Sequence, residues 1–265
     1  MSIGVDRELS AEDLIRQEEE FFKIMGELIE RAEEEGIVLR VLGAIAFRNH
    51  CHSFKHLEYE CGRMLTDIDF VGYKKDQKKI ESIFTSLGYE EDRIVKRLFP
   101  GKRLIFYKDD GLHFDVFLDK LEMCHDIDFR ERLEIDRPTI PLAEMILEKM
   151  QIVEINEKDL IDTLVLLREH EIGDGDHETI NGAFLVELLS EDWGFWRTVT
   201  MNLGKVRQFM KSWPPLSGED REDIEKKLDK ILRIIDDAPK GKKWLKRAKV
   251  GDRKKWYREV EEYDR

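Results

Sequence analysis

The chain is poor in the residues that staple a fold or cross a membrane. Its 265 residues hold three cysteines, Cys51, Cys61 and Cys124, an odd number in a chain long enough to bury a sizeable core. Reduced thiols are therefore the simpler reading, and a cytoplasmic setting is expected. No run of about 18 apolar residues occurs, so no helical membrane span is expected. The opening MSIGVDRELSAEDL is acidic and lacks the apolar core of a secretion signal. Positive charge is in deficit: 45 Lys and Arg stand against 58 Asp and Glu, for a formal net charge of −13. That balance disfavours general affinity for nucleic acid and leaves room only for a local basic patch.

What is present is 41 % apolar and 39 % charged residues, the balance of a globular protein with a heavily charged surface. Residues 10–36 read as a helix, with Ser10 and Asp13 at capping-box spacing and Gly36 at its end. IVLRVLG reads as a strand ending at Gly43, and AIAFRNHCH as a helix after it. A strand over residues 66–73, an amphipathic helix ending at Gly88, and a hairpin over residues 103–119 around KDDG follow. Alternating strands and helices predict an α/β (α+β) core with a mixed sheet. From Pro141 the periodicity is helical, and Asn156 can cap a second helix. We expect an α/β domain over residues 1–137 and a helical domain over 138–265.

Asp67 and Asp69 interrupt the apolar run RMLTDIDFVGY. Asp is disfavoured in strands, and residues two apart share a face. The same alternation in LHFDVFLD puts His113, Asp115 and Phe117 on one face and Phe114, Val116 and Leu118 on the other. If the two strands are neighbours, three carboxylates converge, an arrangement that requires protonation or a cation. Oxygen-only donors suit Mg²⁺ or Mn²⁺. The plainer reading is a solvated polar face. Gly43, between strand and helix, can let backbone N–H groups approach a phosphate, or can simply make a turn.

The order VLGAIAF, RMLTDIDF, LHFDVF resembles the nucleotidyltransferase superfamily of the polymerase-beta type. The later LAEMILEKMQIVEINEKDLIDTLVLL, with Lys149 and the KDLID of residues 158–162, resembles its AbiEii-like branch, as does Arg63. The resemblance spans roughly residues 38–168. It implies a nucleotidyltransferase-like mixed sheet and transfer of NMP from an NTP to an RNA, protein or small-molecule acceptor. It also implies Asp67, Asp69 and Asp115 as metal ligands, Asp115 as a base, and Gly43, Ala44, Arg63, Lys149 and Asp162 around the nucleotide. An antitoxin-type protein partner is a further implication. Ala44 departs from the family's usual Gly or Ser and removes a hydroxyl contact to phosphate. The alternative is an inactive module of the same fold that binds nucleotide or RNA; a third reading is a phosphohydrolase using the same carboxylates.

Two other features have bland and sharp readings. His50, Cys51, His52, His56 and Cys61 lie within a dozen residues, yet their spacing matches no common zinc signature, and surface histidines beside the cleft are the simpler reading. Residues 240–258 carry ten Lys or Arg against one Asp, interleaved with Trp244, Trp256 and Tyr257. Such a tail can grip tRNA or another RNA acceptor, or its aromatics can pack it onto the helical domain.

Overall fold

Ser10 and Asp13 close the capping box that their spacing predicts, each side chain meeting the other's backbone N–H at 3.2 Å. They fix the start of α1 (Ala11–Glu34). The computed structural model of the protein describes residues 10–108 and 111–260, so Asp109 and Asp110 of the expected hairpin turn lie outside the described residues. Gly36, at φ +69°, turns the chain from α1 into β1 (Leu39–Leu42). There follow α2 (Ala44–His50), α3 (His56–Glu60), β2 (Asp67–Gly72), α4 (Gln77–Ser86), β3 (Glu90–Glu91) and α5 (Arg93–Leu98). Next come β4 (Arg103–Tyr107) and β5 (His113–Leu118), the two arms of the expected hairpin.

The five strands form one mixed sheet in the order β1-β2-β5-β4-β3. Only the central β2–β5 pair is parallel. Its two faces differ as period-2 alternation requires. Ile68, Phe70, Leu104, Phe106, Phe114 and Val116 are buried on one side. There Phe84 of α4 stacks on Phe106 at 4.3 Å and meets Phe70 and Phe114 edge-on. The opposite side carries Asp67, Asp69, Arg103, His113 and Asp115.

The chain continues through the short pair β6 (Lys120–Glu122) and β7 (Asp126–Asp128) to α6 (Leu142–Met150) and α7 (Glu157–Glu169). A second short pair, β8 (Glu171–Gly173) and β9 (Thr179–Asn181), precedes α8 (Gly182–Glu191), α9 (Trp193–Ser212), α10 (Gly218–Asp237) and α11 (Lys242–Ala248). From Leu142 to Ala248 the regular elements are thus helices apart from β8 and β9. The buried apolar side chains form one continuous cluster from Met25 to Ile235, across the expected boundary at 137 and 138. Every residue of α6 is buried, because this helix sits among α7, α8, α9, β7 and β9. Its charged residues must therefore find partners inside the protein. Glu144 is held by Arg132, which also binds Asp176 at 2.6 Å. Glu148 and Lys149 take part in the site described next. Among the described residues no helix is long and apolar enough to cross a membrane.

Candidate active site

The register of the central strands decides the site. Parallel pairing sets Asp69 of β2 opposite Asp115 of β5, and Asp67 opposite His113. Asp67 lies two residues before Asp69 on the same face, so the three carboxylates converge as the alternation predicts. They line a cleft of about 700 Å³ together with Gly43, Arg103, His113, Glu148 and Lys149.

Gly43 has a reason to be glycine. Its φ is +71°, in the left-handed region, and a Cβ there would collide with the Asp69 carboxylate. The strand-to-helix turn therefore presses its backbone directly against the acidic cluster. The Gly43 N–H donates to Glu148 Oε1 at 3.1 Å. Ala44 begins α2 and packs, half-buried, against the core.

Negative charge exceeds positive charge in the cleft. Burial pushes the Asp69 carboxyl well above the usual carboxylate range, and Asp67, Asp115 and Glu148 add to the rise while Lys149 opposes it. Burial likewise pushes Glu148 to about 8, against the attraction of Lys149 and the Gly43 N–H. Its second oxygen, Oε2, is buried without a hydrogen-bond partner. Asp67 differs. Burial works to raise it, but His113, 3.5 Å away, holds it below its ordinary value with help from Thr66 and Lys149. The bond to Asp67 in turn raises His113. Asp115 has the firmest partner: Arg103 grips both its oxygens, at 2.6 and 2.8 Å. This fork geometry is the strong form of a carboxylate pair.

Behind Lys149 lies a different arrangement. Its ammonium sits 3.2 Å from Asp159 and 3.1 Å from Asp162. Arg63 reaches both oxygens of Asp162 at 3.1 Å. Arg48 donates to the Arg63 carbonyl at 2.7 Å, to Glu18 at 2.8 Å, and to Glu58. Lys55 and Tyr59 complete Glu18's shell. Lys149 lines the cleft, whereas Arg63 and Asp162 are packed in this ionic layer and do not line it. Asp159 also has its backbone N–H bound by the Asn156 cap at 3.0 Å, so it both begins α7 and partners Lys149.

No protein-family model, curated protein or solved structure matches the chain.

The remaining sequence candidates fall elsewhere. Cys51 is fully buried, Cys61 donates to the Glu58 carbonyl, and His56 meets the Ser53 carbonyl at 2.9 Å. His50 turns away from all of them, toward His170 and Glu178. In the basic tail, the indole N–H of Trp244 donates to the Leu189 carbonyl at 3.1 Å and that of Trp256 to Thr198 at 3.0 Å. These rings pack the tail onto α8 and α9. Lys243, Lys246, Arg247, Lys254 and Lys255 remain along a second groove of about 710 Å³.

Sequence reasoning missed Arg103, Glu148 and the role of His113. A signal for Glu148 was available. In LAEMILEKM, Glu144 and Glu148 stand four apart in a helix whose only other charge is Lys149, and an unpaired charge there is costly.

Proposed function

We propose that the cleft is the active site of a metal-dependent nucleotidyltransferase, which moves NMP from an NTP to a hydroxyl of an RNA, protein or small molecule. The observation that carries this reading is the parallel register that opposes Asp69 to Asp115, with Asp67 beside them and the Gly43 turn against Asp69. The donor set fits a hard divalent cation. It offers only oxygens, and burial together with the neighbouring carboxylates disfavours the charged form of Asp69, a penalty that an ion relieves. Asp67, Asp69 and Asp115 would hold Mg²⁺ or Mn²⁺, which supplies charge neutralisation for the α-phosphate and the leaving pyrophosphate.

The chain's own groups divide the remaining work. Arg103 is a fork suited to phosphate oxygens and stands at the same wall of the cleft. Asp115, once released by Arg103, is a base for the attacking hydroxyl. Lys149 gives the cleft positive potential from a position locked by Asp159 and Asp162. The lysines of the second groove suit the backbone of an RNA acceptor, with binding carried by charge rather than by the packed tryptophans.

The test is incubation with each α-labelled NTP, Mg²⁺, and total RNA or protein. Wild-type protein is expected to label an acceptor and Asp69→Asn is not. Absence of labelling by wild type, or equal labelling by both, overturns the reading. A second reading, an inactive module that binds nucleotide or RNA, draws on Ala44 and the Arg103 clamp on Asp115. It predicts stabilisation by NTP without pyrophosphate release. Release of inorganic phosphate instead would indicate hydrolysis.

A further inference from the structure

The geometry points to a second metal site, for Zn²⁺ or a similar first-row transition ion, built from His50, His170 and Glu178. Each offers a ligand atom, and these atoms all lie within 4.8 Å of one another. His50 is the last residue of α2, His170 caps the C-terminus of α7, and Glu178 directly precedes β9. Nδ1 of His50 is 3.9 Å from Oε1 of Glu178, and Nδ1 of His170 is 3.7 Å from Oε2. Ligand bonds of about 2.0–2.1 Å put tetrahedral donors about 3.3 Å apart, so small adjustments close the site. The Glu178 side chain is 61 % exposed and has room to make them.

Three features fit a ligand role better than an ordinary structural one. Nε2 of His50 lies 2.6 Å from the Thr139 hydroxyl and 3.4 Å from the Asp136 carboxylate. The acceptor-only carboxylate favours the proton on Nε2, which leaves the Nδ1 lone pair facing Glu178, as in metal sites whose histidines are oriented by an outer partner. His170 is 5 % exposed, yet its Nε2 has no hydrogen-bond partner and its Nδ1 has one long contact of that kind, to the Glu178 carbonyl at 3.4 Å, beside the Glu178 carboxylate at 3.7 Å. Burial of this ring is poorly explained by the hydrogen bonds it makes. Glu178 is held at φ +49°, a costly conformation for a residue with a side chain. Imidazole and carboxylate donors suit zinc, and three protein ligands leave a fourth position to water. The ion would tie α2, which starts at the Gly43 turn, to α7 and β9.

Zinc content after dialysis, affinity by chelator competition, and the visible spectrum of the Co²⁺ form test this site. Wild-type protein is expected to hold one ion per chain, with a tetrahedral Co²⁺ spectrum and a thermal midpoint raised by Zn²⁺. Glu178→Gln changes an exposed side chain and should fold. It is expected to lose the spectrum and to weaken binding by more than the about 10–100-fold that removal of a supporting partner costs. Asp69→Asn is expected to bind zinc as wild type does, which separates this site from the acidic cleft. Failure of wild type to bind one ion, or wild-type affinity in Glu178→Gln, overturns the proposal. His52→Ala serves as the surface-histidine control and is expected to change nothing.

Discussion

Two acidic clusters meet at Lys149, and they are built in opposite ways. Behind it, Glu18, Glu58, Asp159 and Asp162 face Arg48, Lys55, Arg63 and Lys149, carboxylate for cation. In front of it, Asp67, Asp69, Asp115 and Glu148 face Arg103 and the half-buried His113. Burial opposes charge in both. In the rear layer Lys149 and Arg63 hold Asp162 below the ordinary carboxylate range despite complete burial. Even so, burial and the charge of Asp162 lift Glu58 to about 7 against Arg48. In the cleft burial goes largely unanswered at Asp69 and Glu148. A matched set of buried charges serves structure, and an unmatched one in a cavity is the arrangement that a bound cation completes.

Substitutions can break this contrast. Asp162→Ala strands Arg63 and leaves Lys149 with Asp159, and is expected to cost about 3–5 kcal/mol in urea unfolding. Asp69→Asn is expected to act in the other direction. It removes a carboxyl whose charge is disfavoured by burial and by its acidic neighbours, so without metal the protein is expected to unfold at a higher urea concentration than wild type. NMP transfer, measured as labelled acceptor, should fall by at least about 10²-fold. Equal destabilisation by both substitutions would erase the distinction between the two layers.

Gly43→Ala sharpens the same comparison, since it forces a Cβ toward Asp69 at a positive φ. A loss of about 1–3 kcal/mol is expected, together with weaker NTP binding by titration calorimetry. An unchanged affinity would remove the turn from the site.

A further effect is a slope with pH. Glu148 titrates near 4.5 when unfolded and near 8 when folded, so between these values the folded protein keeps a proton that the unfolded chain has released. Its contribution to stability therefore falls as pH rises from about 4.5 to 8, by at most about 1.4 kcal/mol per pH unit. Glu148→Gln should flatten thermal midpoint against pH over that window. A curve parallel to wild type would place the proton elsewhere.

The period-2 pattern was enough to read which face each aspartate takes, because side-chain alternation is a local property of a strand. Glycine at residue 43 and the Ser10 and Asn156 caps are local too, and the structure has the cap bonds in place. The register was not legible, since nothing local states that β2 pairs with β5 in parallel. Arg103 begins its strand like any surface arginine until its side chain is seen to reach diagonally to Asp115 on the neighbouring strand. The Arg48–Glu58 pair is hidden by composition: where 39 % of residues are charged, a buried pair resembles a solvated one. Strands β6, β7, β8 and β9 are three residues each, too short to show a period. His170 and Glu178 carry no sequence link to His50, so only the packing of α2 against α7 brings them together.

The central parallel pairing has a consequence in time. Asp69 and Asp115 stand 46 residues apart in sequence, and the segment between them contains α4, β3, α5 and β4. During synthesis β2 therefore emerges with its aspartates still solvated. Their crowding begins only when β5 docks, after a loop closure whose cost comes before its reward. By then the Phe84 stack on the opposite face can hold the sheet against the repulsion. The acidic cleft thus forms only after β5 has emerged, and a chain halted before residue 113 carries no such cleft.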